Sequence, residues 1–263
     1  MIIEYVPLLH IQRELQGMPR NRDRFMKYLQ TIGAKDGAGI LELPSLIAAN
    51  PMGKEHVTHY LDELLAMDAD GQGALAVKEA MAQLADEPGV FKLALVLADD
   101  LMGGWTNRYA NEYTQRFPVP ASTTGTGELP RWLKDFWLTA LVWTSDPPSV
   151  QRVRESVLTT IYRMVYFQRH GFPSTLKEML LQEGTVMAQA GCLEPTLDEE
   201  DIEYTREVIA PHLDSTEKRT IMECLFGDTA SKTLGFTPQG LGHWAGLAVA
   251  LHDGRQRLAS PTS

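Results

Sequence analysis

The chain has 263 residues, 44% of them hydrophobic, enough to bury a sizeable core as one large domain or two small ones. Its formal net charge of −10 argues against non-specific association with the polyanions DNA, RNA and acidic lipid surfaces, and leaves cations and basic partners easier to accept. Its two cysteines, Cys192 and Cys224, have no CxxC spacing, so neither a disulfide framework nor a structural zinc site is indicated and buried, reduced thiols are expected.

The first residues, MIIEYVPLLHIQRE, lack the basic start and unbroken apolar core of a signal peptide. No run approaches the roughly 18 apolar residues that span a membrane, so the expectation is a cytoplasmic protein with no membrane contact. Beyond the first six residues nearly every segment repeats at three to four residues, and the predicted fold class is all-α, a multi-helix globular bundle. A helix over 20–32 carries Phe25, Met26, Leu29 and Ile32, and a second over 54–67 carries Val57, Tyr60, Leu61, Leu64 and Leu65.

After the second helix comes DADGQGALAVKE at 68–79, which places oxygen-bearing groups at the spacing that wraps one calcium ion. Ca²⁺ takes six to eight oxygens at about 2.3 to 2.6 Å, so a short loop must turn inward repeatedly. Asp68, Asp70 and Gln72 would be side-chain ligands, Ala74 would offer its carbonyl, and Glu79 would close the shell with both carboxylate oxygens. Gly73 would supply the sharp turn and Leu75 the apolar packing residue. The segment resembles an EF-hand. One repeat upstream, AKDGAGILELPS at 34–45 keeps Asp36, Gly39 and Leu41 but lacks the other ligands, so 20–86 resembles a pair with one intact loop and one degenerate. The resemblance implies a single Ca²⁺ in a structural or regulatory role. The plain alternative is a polar turn followed by a helix rich in Ala, Leu, Lys and Glu.

Further helices are predicted near 90–101 and 104–116, the first ending in Asp99 and Asp100. The stretch 99–116, DDLMGGWTNRYANEYTQR, concentrates carboxylates, amides, aromatics and guanidiniums. Asp99 and Asp100 could hold a metal or act as acid and base, while Asn107, Arg108 and Glu112 recur at helical spacing and could line a pocket for a small-molecule ligand. Ordinary ion pairing, such as Arg108 with Glu112, would explain the same residues. His56 and His59, three apart with Glu63 beyond, have a spacing that could hold a transition metal, and His243 beside Trp244 is a further candidate acid or base.

Residues 118–130, PVPASTTGTGELP, read as a linker or mobile loop between helical regions 1–117 and 131–263, which form either two domains or one continuous one. Helices follow at 131–144, 150–169, 175–190, 198–210, 215–226 and 238–252. Thr175 with Glu178, and Thr196 with Glu199, have the spacing of capping boxes, and Gly242, Gly246 and Ala250 allow another helix close approach. Arg152, Arg154, Arg163 and Arg169 interleave with Tyr162 and Tyr166, but overall acidity disfavours nucleic acid and favours ion pairs. No GxSxG, P-loop, GxGxxG or HExxH motif is present. The leading expectation is a helical calcium-binding protein. The alternatives are a helical enzyme or ligand-binding protein with its pocket at 99–116, and a helical scaffold that binds a protein partner.

Overall fold

The computed structural model describes residues 1–33, 41–101, 106–118 and 137–260. The linker predicted at 118–130, apart from Pro118, and most of the degenerate loop at 34–45 lie outside these residues. The chain divides into two compact units: Met1–Arg108 with Ala121–Ile161, and Tyr109–Pro120 with Tyr162–Ser263. Among the described residues no helix is long and apolar enough to cross a membrane.

The first unit corrects the all-α expectation, because it contains a three-stranded parallel sheet in the order β1-β2-β3. Its elements are β1 (Ile2–Tyr5), α1 (Leu9–Gly17), α2 (Arg22–Ile32), a 3₁₀ helix (Pro44–Ala48), α3 (Glu55–Ala66), α4 (Ala69–Gln83), β2 (Val90–Ala98) and β3 (Trp137–Trp143). Helix α5 (Arg108–Arg116) follows β2, and α6 (Val150–His170) follows β3. Tyr5 stands opposite Leu93, and Ala98 opposite Trp143.

The two runs predicted as helices near 90–101 and 131–144 are strands β2 and, over its described part, β3. Both faces of β2 are covered. Ala94, Val96 and Ala98 pack with Leu8, Leu46, Ala49, Leu141 and Trp143, while Leu93, Leu95 and Leu97 are fully buried. A strand buried on both faces is apolar at consecutive positions and loses the alternation that marks a half-exposed strand. β1 is shorter than β2, and its last partner bond is Val6 N–H to the Leu93 carbonyl, 2.8 Å. Beyond it, the buried side chain of Gln12 takes the place of a strand, its Nε2 donating to the Leu97 carbonyl at 2.7 Å and its Oε1 accepting from Leu97 N–H at 3.1 Å. Buried backbone polar groups require partners, and a primary amide offers the same donor and acceptor as a peptide.

The second unit is helical in its described residues: most of α5, the later part of α6, α7 (Leu176–Ala190), α8 (Glu199–Ile209), α9 (Lys218–Leu234) and α10 (Ala245–Ala259). Thr175 and Glu178 form the predicted capping box on α7, whereas α8 is capped by Asp198, which accepts from Asp201 N–H, rather than by Thr196. Helices α7 and α10 cross at Gly184 and Gly254: a Cβ on Gly254 would stand 1.9 Å from the Gly184 carbonyl oxygen, so only glycine permits this approach. Glu183 is fully buried and joins two helices, receiving the Arg163 guanidinium through bonds of 2.7 and 2.9 Å and pairing also with Arg116. Both cysteines are buried here, and burial followed by the neighbouring Glu223 pushes the Cys224 thiol up to about 12.

Candidate functional site

In a parallel sheet the carboxyl ends of the strands face the loops that lead into the following helices, and side chains from several segments converge there. β2 is followed directly by Asp99 and Asp100, and β3 by Thr144, Ser145 and Asp146. The segment between the 3₁₀ helix and α3 is tied down at the same edge. Gln16 Nε2 donates to the Asn50 carbonyl at 2.6 Å, and buried Arg24 donates to the carbonyls of Pro51 at 2.6 Å and Gly53 at 3.0 Å. These bonds position Asn50 and the start of α3, which carries His56 and, one turn later, Tyr60.

Asp99 is buried and its carboxylate oxygens are fully engaged. Asn50 Nδ2 donates to Oδ2 at 2.7 Å, while Oδ1 accepts from His56 Nε2 at 2.8 Å and Leu101 N–H at 3.2 Å. The Thr144 hydroxyl lies between the two acids, 3.1 Å from Asp99 Oδ1 and 3.0 Å from Asp100 Oδ1. A carboxylate can only accept, so His56 carries a proton on Nε2, and a neutral ring held this way would present a lone pair at Nδ1. That Nδ1 is buried and has no hydrogen-bond partner. An imidazole held through one nitrogen by a buried acid and open at the other is the arrangement of a general base.

Beside it, Asp100 accepts from Ser145 N–H at 3.0 Å and from the Ser145 hydroxyl at 2.6 Å. Arg108 grips Asp146 with two parallel bonds of 2.9 and 2.8 Å and lies 5.5 Å over the Trp143 ring. Arg152 reaches Asp146 at 3.4 Å. The Tyr60 hydroxyl is buried and, like His56 Nδ1, without a hydrogen-bond partner. Burial, then the Asp146 charge, pushes its ionisation well above the ordinary phenol range, so Tyr60 is a neutral donor.

Of the residues singled out in the sequence, Asp99, Asp100 and Arg108 come together at this edge, while Asn107 is exposed just before α5. Glu112 belongs to the second unit and pairs with Arg116, and His243 lies there beside the rings of Tyr109 and Trp244. His59 is exposed, and among the described residues no group of three or more His, Cys, Asp or Glu side chains could hold a metal ion.

The calcium-like segment is placed differently from its expected loop. Only Met67 and Asp68 separate α3 from α4, and Asp70, Gln72, Ala74 and Glu79 all stand on the latter helix. At about 1.5 Å per residue, Asp70 and Glu79 are roughly 13 Å apart along the axis, far beyond one coordination shell. The Asp70 carboxylate instead accepts from the Tyr5 hydroxyl at 2.8 Å and from Leu9 N–H at the start of α1 at 3.3 Å. Burial raises its pKa against the lowering effect of these bonds. Glu79 pairs with Arg154 at 2.5 Å, Leu75 is exposed, and a Cβ on Gly73 would stand 2.7 Å from the Tyr5 ring.

Asn50, Thr144, Ser145 and Asp146 had no place in the sequence-based site, and His56 was grouped with His59 instead. The signal that could have found them is the pair of apolar runs closed by acids, LVLADD and LVWTSD, which is how two adjacent parallel strands ending at one edge read. No protein-family model matches the chain, and no curated protein or solved structure is detectably similar to it.

Proposed function

We propose that the first unit is a small-molecule-binding domain whose chemistry is proton transfer by His56, oriented by Asp99, at the carboxyl edge of the sheet. The observation that carries this reading is the His56 ring, bonded through Nε2 to a buried carboxylate at 2.8 Å while its buried Nδ1 has no hydrogen-bond partner. Leaving a buried acceptor unsatisfied costs about 1 to 3 kcal/mol, a cost that a bound ligand offering a proton donor would remove. Asn50 and Thr144 hold Asp99 in place, and the Arg108–Asp146 pair fixes the adjoining wall. In this role His56 takes a proton from the ligand at Nδ1, and Asp99 stabilises the resulting imidazolium through Nε2.

A thermal-shift screen of small polar compounds against the wild-type protein and His56→Gln tests the proposal. At least one compound should raise the melting temperature of the wild type and leave the variant unmoved. If every stabilising compound acts equally on both proteins, His56 is not part of a ligand site.

A further inference from the structure

We infer that the carboxyl edge of the sheet takes a ligand without net negative charge that bears a hydroxyl or amino group, held at two points by His56 Nδ1 and the Tyr60 hydroxyl. The inference rests on the reading of His56 as the ligand-facing base. It starts from the second atom, because Tyr60 is only 7% exposed and its hydroxyl is unpartnered. His56 and Tyr60 stand at i and i+4 on α3, so they lie on one face of that helix and present two unmet polar atoms.

The chemistry of the pair selects the ligand. As a base, His56 requires an O–H or N–H donor at Nδ1, and the Tyr60 hydroxyl can donate to an oxygen or accept from an amine. The charges around them select again. Asp99, Asp100 and Asp146 stand against Arg108 and Arg152, and Glu63 adds another carboxylate within electrostatic reach of Tyr60. Arg108 holds Asp146 through a bidentate pair, so an anion would meet surplus negative charge there. A cation or a neutral hydroxyl compound meets no such opposition.

Ethanolamine, ethylene glycol and glycolate are nearly isosteric and differ in charge, so they separate the alternatives. Each is titrated into the full-length protein labelled with ¹⁵N-histidine, with the His56 ring resonances assigned from their absence in His56→Gln. Ethanolamine and ethylene glycol should shift those resonances saturably and glycolate should not. Tyr60→Phe, which removes one oxygen and keeps the ring, should weaken the response about tenfold. If glycolate binds as tightly as the other two, the inferred ligand class is wrong while the site itself stands. Probes that bind with Tyr60→Phe silent overturn the two-point recognition. If no probe moves the His56 resonances, both this inference and the ligand site beneath it fall.

Discussion

Gln12 shows how one side chain can finish a sheet. Its amide closes both backbone groups of Leu97 where β1 has already ended, inside a region closed to water. Gln12→Ala should therefore lose about 1 to 3 kcal/mol in a denaturant melt, because a buried donor and acceptor are left unmet together. A loss no larger than that of an exposed Gln→Ala change would show that water replaces the amide freely. Polar residues of this kind are the least legible in a sequence. Asp99, Asp100 and Arg108 could be picked out because they cluster within one short stretch. Asn50, His56 and Thr144 could not, because they reach Asp99 from positions 43 to 49 residues away. Asp70 had a visible pattern and acquired another role: its carboxylate caps the start of α1 and bonds Tyr5.

At the scale of elements, periodicity located most helices and misassigned the two strands with the largest share of buried residues. VFKLALVLA and WLTALVW carry no alternation because both faces of the sheet are covered, and a short apolar run then fits either period. The boundary between α3 and α4 was found, but not its length. Ala, Leu, Lys and Glu favour continued helix, and α4 starts at Ala69 instead of leaving twelve residues for a loop. Binding calcium through 68–79 would require most of α4 to unwind and Asp70 to leave Tyr5 and Leu9. Thermal melts in EDTA, CaCl₂ and MgCl₂ are accordingly expected to superimpose. A calcium-selective rise that disappears in Glu79→Gln would place an ion at 68–79, since an ion at 100 times its Kd would add about 2.7 kcal/mol.

Across the whole molecule, both units are built from stretches that are not contiguous in the chain, an organisation that composition and linkers do not reveal. Their cores also handle charge differently from an all-apolar interior. In the second unit, burial by itself would raise the pKa of Glu183, but Arg163 and Arg116 outweigh it and hold the acid below its ordinary value of 4.5. A carboxyl whose folded-state pKa is depressed contributes stability above its unfolded value and loses that contribution as pH falls. The melting temperature should thus drop as the solution is acidified below pH 4.5. Glu183→Gln should be destabilised by about 3 to 5 kcal/mol at neutral pH, since it strands the Arg163 guanidinium and leaves Arg116 with Glu112 alone, and the gap to the wild type should narrow in acid. A gap that stays constant with pH would assign the cost to packing rather than charge.

Burial of the two thiols has a practical side. Cys192 and Cys224 both fall in the second unit, and the first has no cysteine. Because the thiolate is the reactive form, a buried thiol such as Cys224, held protonated near neutral pH, is protected while the helices around it stay closed. The native chain therefore carries its own clock for one unit only: alkylation counts the openings of the helical half and is blind to those of the sheet.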